Sequence, residues 1–438
     1  MKYMPVLMVT IACLLGACNR APSLASSRTE AAMPMRESMT LCLADASTDA
    51  ALDDQLRSAQ RAVQHAPGNA ERWVEAGRQW LHKARSSSDA GFYLNVDGCV
   101  EEALALAADS PAALALRGLV LMNRHDFEGA RALSERLIER DADDAVALGT
   151  LSDALLELGD YPNALAAAQR QMAARPGMAA HARGAYLSWL HGDSVRAKLL
   201  IRDALQDRSS ADPEAAAWTF VEAARMFWHE GDLSGADALL VEALRWVDDY
   251  PAALVLRARI ALAENAPQRG IDYLLRAHQQ SALVESAWLL SDAYDELHNA
   301  RAAQQWFDTA QRLGTQTDRL TLGLMLAVRD LEPARAVQWL EAERRVRGGI
   351  QLDDAYAWAL YRAGRIDEAA RYSAQALRLG TPDSRLLYHG GAIRIAQGRA
   401  IEGRTLIERA LALNAGFDLR EARQARAALA ATVALANR

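Results

Sequence analysis

Between residues 70 and 417, small and apolar positions recur with helix-turn signals at an interval of 33 or 34 residues. Units begin near residues 70, 111, 145, 178, 217, 251, 284, 317, 350 and 384, with longer spacings of 41 after residue 70 and 39 after residue 178. Counting within each unit and allowing for the longer first one, position 8 is Gly77, Gly118, Ser152, Ala185, Ala224, Ala258, Ser291, Leu324, Ala357 and Gly391. Position 20 is Val96, Ala130, Ala164, Ala197, Ala236, Gly270, Ala303, Ala336, Ala369 and Gly403. Nine of ten are small at each place, and position 27 is alanine in seven units, among them Ala204, Ala243, Ala310 and Ala376. In an alanine-rich chain one such coincidence means little, but three registers held over ten units require a cause. The pattern predicts two helices per unit, one through position 8 and one through position 20, with small residues where their axes approach closely. Position 27 then admits the first helix of the next unit. Pro67, Pro111, Pro176, Pro251 and Pro382 fall at the joints, where helices must stop. Gly-Asp or Gly-Arg between the two helices supplies a left-handed turn and the following N-cap.

The segments GDYPNALAAAQRQ (159–171), GDLSGADALLVEA (231–243) and GRIDEAARYSAQA (364–376) resemble the tetratricopeptide repeat, and the resemblance covers about residues 52–417. Trp73, Trp80, Phe220, Phe227, Tyr294 and Phe307 occupy positions 4, 11 or 24, as in that family. The resemblance implies an all-α fold, a right-handed α-solenoid of about ten helix-turn-helix units with a C-terminal capping helix. The expected organisation is a leading partial repeat over 37–69, a solenoid over 70–417 and a cap with tail over 418–438. Residues 83–99 read as an irregular insert, and 209–215 (SSADPEA) as an extra stretch. The unit at 317 has Leu324 and Glu343 where small residues are expected, which predicts looser packing.

The N-terminus reads differently. One lysine precedes an apolar run from Pro5 to Ala17, too short for a bilayer that needs about 20 residues but suited to a secretory signal over 1–17. Leu15-Gly16-Ala17-Cys18 resembles a bacterial lipobox, which implies cleavage before Cys18 and its acylation. Asn19 at the next position favours the outer membrane. Residues 18–36 are small, polar and proline-punctuated, as a flexible tether would be. The expected location is the bacterial cell envelope, lipid-anchored and facing the periplasm. In that oxidising setting Cys42 and Cys99 could form a disulfide, worth about 4 kcal/mol on the chain-entropy model, or remain two buried thiols.

The chain of 438 residues carries a net charge of −7 and no basic block, so nucleic-acid tracking is not expected. No P-loop, GxSxG, HExxH or paired-cysteine ligand spacing occurs, and His125, His191, His229 and His298 all fall where first helices end, as turn chemistry. We therefore expect no catalytic residues, no cofactor and no metal. Positions 2, 5, 9, 12 and 13 of each unit share one face of the first helix. They place Trp189, Trp218, Arg225, Trp228, Arg259, Trp288, Asp292, Asp295, Trp358 and Tyr361 on a concave surface. An aromatic strip beside fixed charges suits a protein or peptide partner in a groove. Packing between neighbouring first helices accounts for the same residues equally well. The function expected is a non-enzymatic interaction scaffold; the alternative is a small-ligand or glycan-binding lipoprotein.

Overall fold

Aspartate, asparagine and serine mark most helix starts, and the turns fall where the period puts them. A computed structural model describes residues 35–45, 50–210 and 212–436. The signal segment 1–17, Cys18 and nearly all of the tether lie outside the described residues. Among the described residues there is no strand. Two leading helices, α1 (Met35–Cys42) and α2 (Ala50–His65), precede ten pairs. The first five pairs are α3 (Ala70–Ser86) with α4 (Tyr93–Leu106), α5 (Pro111–Asn123) with α6 (Phe127–Arg140), α7 (Ala145–Glu157) with α8 (Tyr161–Ala174), α9 (Met178–Leu190) with α10 (Ser194–Gln206), and α11 (Pro213–His229) with α12 (Leu233–Trp246). The next five are α13 (Pro251–Ala263) with α14 (Pro267–Gln280), α15 (Val284–Glu296) with α16 (Ala300–Gln316), α17 (Arg319–Val328) with α18 (Pro333–Glu343), α19 (Ile350–Arg362) with α20 (Ile366–Ala376), and α21 (Ser384–Ala396) with α22 (Ala400–Leu413). Helix α23 (Glu421–Ala436) follows.

Eight of the ten first helices start on the residue that the period predicts. The other two are displaced by their caps. Helix α11 starts four residues early, because Asp212 accepts from the Ala215 amide and Pro213 stands at the first helical position. The last three residues of the extra stretch at 209–215 are thus the helix's own first turn. Helix α17 starts two residues late, capped by Asp318. Its small contact residue becomes Gly323, where a Cβ would stand 2.7 Å from the Leu340 side chain. The expectation of an irregular insert over 83–99 is corrected as well. Helix α3 simply runs on to Ser86, a short 3-10 turn covers 90–92, and α4 takes up the rest.

Each turn inside a pair carries a left-handed residue: Ser88, His125, Gly159, Gly192, Gly231, Asn265, His298, Asp330, Gly364 and Gly398, with Glu332 a second one in the turn after α17. The conformation, and not glycine itself, is what repeats. At position 8, Ser152 and Ser291 donate to the carbonyls of Ala164 and Ala303 at position 20 of the facing helix, at 2.8 and 2.7 Å. In the last pair Gly391 and Gly403 take the same places. A Cβ on either would stand 2.7 or 2.5 Å from the other's carbonyl oxygen. Small residues therefore set the distance between axes, as the registers imply.

The chain divides into two compact units. Of the described residues, one holds those up to Leu155 together with Pro162–Ala174; the other holds Leu156–Tyr161 and those from Arg175 onward. In the first unit, Cys42 and Cys99 are joined by a disulfide, with Cα atoms 4.8 Å apart. The Cys42 carbonyl accepts from Trp80 Nε1 at 2.8 Å and from Gln60 Nε2 at 3.1 Å. Helix α1 is thus tied to α2, α3 and α4 by covalent and polar contacts.

The second unit comes back on itself. Asn414 Nδ2 donates to the Trp228 carbonyl at 2.7 Å, across 186 residues. Thr381 Oγ1 donates to the Leu190 carbonyl, across 191. The Ile350 amide donates to Tyr161 Oη at 2.8 Å, across 189. In each case a turn inside one pair meets the chain that follows a later pair, two of these being joints between pairs and the third the link from α22 to α23. One superhelical turn of this unit therefore closes in between five and six repeat lengths.

Candidate functional site

The first helices of the second unit bring their charged and aromatic side chains to one face, and the residues after α22 lie on it. Phe417, Asp418, Glu421, Ala422 and Ala425 are buried there. Asp418 caps α23 by accepting from the amides of Arg420 and Glu421 at 2.9 and 3.0 Å. Arg385 of α21 donates to Glu421 at 2.9 Å and to Asp418 at 3.1 Å. On the other side Arg420 donates to Asp292 at 2.6 Å and pairs with Asp295, both on α15. Arg423 pairs with Glu296, and Gln424 accepts from Tyr388 at 3.1 Å and Arg362 at 3.2 Å. Further back, Gly416 lies close enough to Ala263 of α13 that a Cβ would stand 2.8 Å from that side chain. Segment 414–424 thus touches α11, α13, α15, α19 and α21.

At the centre sits His389, fully buried, between Asp354 (2.8 Å) and Glu421 (2.6 Å) and stacked on Trp358 at a ring distance of 4.0 Å. Burial alone would push this imidazole towards its neutral form. The two carboxylates outweigh burial and raise its pKa to about 9. Burial would likewise raise Glu421, but His389 and Arg385 hold it down at about 2. Asp292 moves up because its burial exceeds the pull of Arg329 and Arg420. His229 is lowered, chiefly by burial, although Asp383 lies 3.7 Å away.

The residues expected to line a groove are brought together here, but not as an open strip. Trp189, Trp228, Trp288, Asp292 and Trp358 are buried, and Trp218, Arg225, Arg259, Asp295 and Tyr361 are half-buried. None is fully exposed. Trp228 and Trp218 belong to the packing around α11 and α13. Trp189 lies 4.6 Å from the His229 ring, and Trp358 stacks on Tyr361 as well as on His389. Arg225 is held by Glu222 at 3.1 Å, and Arg259 by Glu285 at 2.7 Å. The indole N–H groups of Trp189, Trp288 and Trp358 find no acceptor. The expected exposure is therefore corrected. Adjacent first helices cover part of the strip, and residues 414–424 cover more.

Sequence reading placed one side of this arrangement and missed the other. His389, Arg385, Asp354, Arg329, Arg420 and Glu421 were not singled out. The signal available was charge. Residues 417–424 (FDLREARQ) alternate acids and arginines, whereas a plain solenoid cap needs only an apolar face. The histidine at the end of α9 does serve the turn, its Nδ1 lying 2.8 Å from the Leu187 carbonyl.

The fold is an all-α array of tetratricopeptide-type helix pairs. That rests on the paired helices, the period and the small-residue contacts described above. No family model matches the chain, and no curated protein matches it. Among solved structures, human IFIT1, a dimer with PPP-AAAA, is similar at 15% identity and a TM-score of 0.46, over 86% of this chain and 94% of that one. PilF of Pseudomonas aeruginosa is similar at 16% identity and a TM-score of 0.40, over 47% of this chain and 92% of its own. Yeast Tom70 is similar at 13% identity and a TM-score of 0.37, over 88% and 96%.

Proposed function

We propose that the protein is a non-enzymatic interaction scaffold of the bacterial cell envelope, anchored by lipid at Cys18 and binding a protein segment on the first-helix face of its second unit. The observation that carries the reading is that this face already holds a charged, helix-starting segment, residues 414–424, through contacts with five first helices. A surface that seats one such segment by ion pairs, an aromatic stack and a capped helix start has the chemistry to seat another. The anchor follows from the apolar run and the Leu15-Gly16-Ala17-Cys18 sequence. Among the described residues no helix is long and apolar enough to cross a membrane, so membrane attachment in this reading rests on the lipid.

Two measurements test it. Intact-mass analysis of the protein purified from a bacterial envelope should show an acylated Cys18 start, and Cys18→Ser should abolish detergent-phase partitioning. A photocrosslinking residue placed at Trp218 or Tyr361, both half-buried on the face, should capture a discrete envelope protein. That capture should be lost on Arg225→Glu with Arg259→Glu. An unmodified Cys18, or crosslinks indifferent to the two arginines, would refute the corresponding half of the reading.

A further inference from the structure

Residues 414–424 do two kinds of work, and the two can be separated. A cap needs only to cover the last apolar face, and Ala422 and Ala425 of α23 do that beside α21 and α22. It has no need to reach α11, α13 or α15. Yet Asn414 bonds the last turn of α11, and Arg420 and Arg423 bond three carboxylates of α15. Asp292 is held by a second arginine, Arg329 of the turn after α17, at 2.6 Å, so it keeps a partner if Arg420 leaves. Arg385 and His389 face the same segment from the opposite side, with Glu421 between them. The face therefore presents an acidic wall on α15 and a cationic wall on α21, with residues 418–423 bonded to both. The segment between them answers each wall with the opposite charge from neighbouring positions, Arg420 and Glu421.

We propose that residues 414–424 are a resident ligand of this face, and that the partner is a helix whose first turn repeats their pattern and displaces them. The pattern is an aromatic residue, an aspartate cap one residue on, then an arginine just before the helix, a glutamate at its first position and a second arginine two residues after the glutamate. This rests on the scaffold reading and adds to it the partner's chemistry and the way access is controlled. With the resident segment seated, the acids of α15 and the cations of α21 are occupied. With it displaced, the same groups are offered to the incoming helix.

The test uses the full chain and a fluorescein-labelled synthetic peptide of its own residues 414–438. In Arg420→Ala with Arg423→Ala, the ion pairs to α15 are lost while the alanine seat of α23 remains. Amide exchange over 421–431 should quicken at least tenfold, with α13 to α22 unchanged. By fluorescence anisotropy the peptide should bind this variant at least tenfold more tightly than the wild type, whose face is occupied. A peptide carrying Arg420→Glu and Arg423→Glu should not bind it. It should bind when Asp295→Arg and Glu296→Arg are added to the variant chain. The proposal fails if the segment is released and the peptide does not bind. It also fails if release carries α19 to α22 with it, which would make the segment an inseparable cap, or if 421–431 stay protected. As a second route, Asp295→Asn with Glu296→Gln weakens the same wall from the other side and should quicken exchange over 421–431 in the same way, but without tighter peptide binding, because the peptide's arginines need the same two acids. Peptide binding without any envelope crosslink would refute the scaffold reading, and the partner with it, while leaving the displaceable resident segment; a crosslink without peptide binding would refute this inference and leave the scaffold reading.

Discussion

Closure of the second unit's superhelical turn can be tested at its glycines. Gly192, Gly231, Gly364 and Gly398 occupy the same place in four turns, with φ of +78°, +76°, +75° and +81°. Alanine at any of them meets the left-handed penalty of roughly 1–2 kcal/mol, offset by about 0.4–1 kcal/mol from the stiffer unfolded chain. Beyond that, the four differ. A Cβ at Gly364 or Gly398 meets nothing within 4 Å. At Gly192 it would stand 2.9 Å from the Gly380 carbonyl oxygen, and at Gly231 it would stand 2.7 Å from that of Leu413. Those atoms are backbone and cannot swing aside, so overpacking adds about 1–3 kcal/mol. For a unit of this size each kcal/mol lowers the melting temperature by roughly 2–4 °C. Gly192→Ala and Gly231→Ala should therefore melt about 2–12 °C below Gly364→Ala and Gly398→Ala, measured by calorimetry on the four single variants. If all four melt together to within a degree, the turn does not close in solution and the concave face is an open groove.

The remaining expectations follow from burial and charge. His389, raised to about 9, stabilises the second unit fully below its ordinary value of 6.5 and loses that contribution as pH climbs through 9. Glu421, lowered to about 2, stabilises above 4.5 and loses its contribution as pH falls through 2. Segment 414–424 should thus be held most firmly between pH 4.5 and 6.5, and His389→Gln should flatten the alkaline decline in melting temperature. Trp358→Ala should cost about 3–5 kcal/mol in denaturant unfolding, because the indole is fully buried, whereas half-buried Trp218→Ala should cost about 1 kcal/mol. Cys42→Ser with Cys99→Ser should remove up to about 4 kcal/mol and speed amide exchange in α1 while leaving α5 and α6 protected.

The period was legible because it is built from local contacts. Position 8 meets position 20 only about a dozen residues later, as Ser291 meets Ala303. A contact that short leaves its mark as a repeated small residue. The departures were legible only in part. Leu324 and Glu343 marked the altered unit, but the shift of its close contact to Gly323 depends on Asp318 capping the helix two residues late. The groove residues were found as a face and misjudged as a surface. Position within a helix fixes direction, and it says nothing about what arrives from 100 or more residues away. Arg420 reaches Asp292 across 128 residues, and no spacing inside a unit encodes that meeting.

Those distant meetings change how the second unit should behave. In an open array each repeat touches only its neighbours, so stability is a sum of local terms and unfolding can start at an end and spread. Here the turns after α9 and α11 are bonded to joints some 190 residues further on, and α23 ties α15 to α21. Fraying the C-terminal pair therefore breaks contacts in the middle of the array as well as at its end. The unit gains cooperativity that its local pattern would not supply, and its concave face becomes a place that a partner must open. The charged start of α23 is the part of that closure best suited to give way. Its contacts to Asp295 and Glu296 of α15 are ion pairs at partly exposed side chains, which exchange more readily than buried alanine against buried alanine.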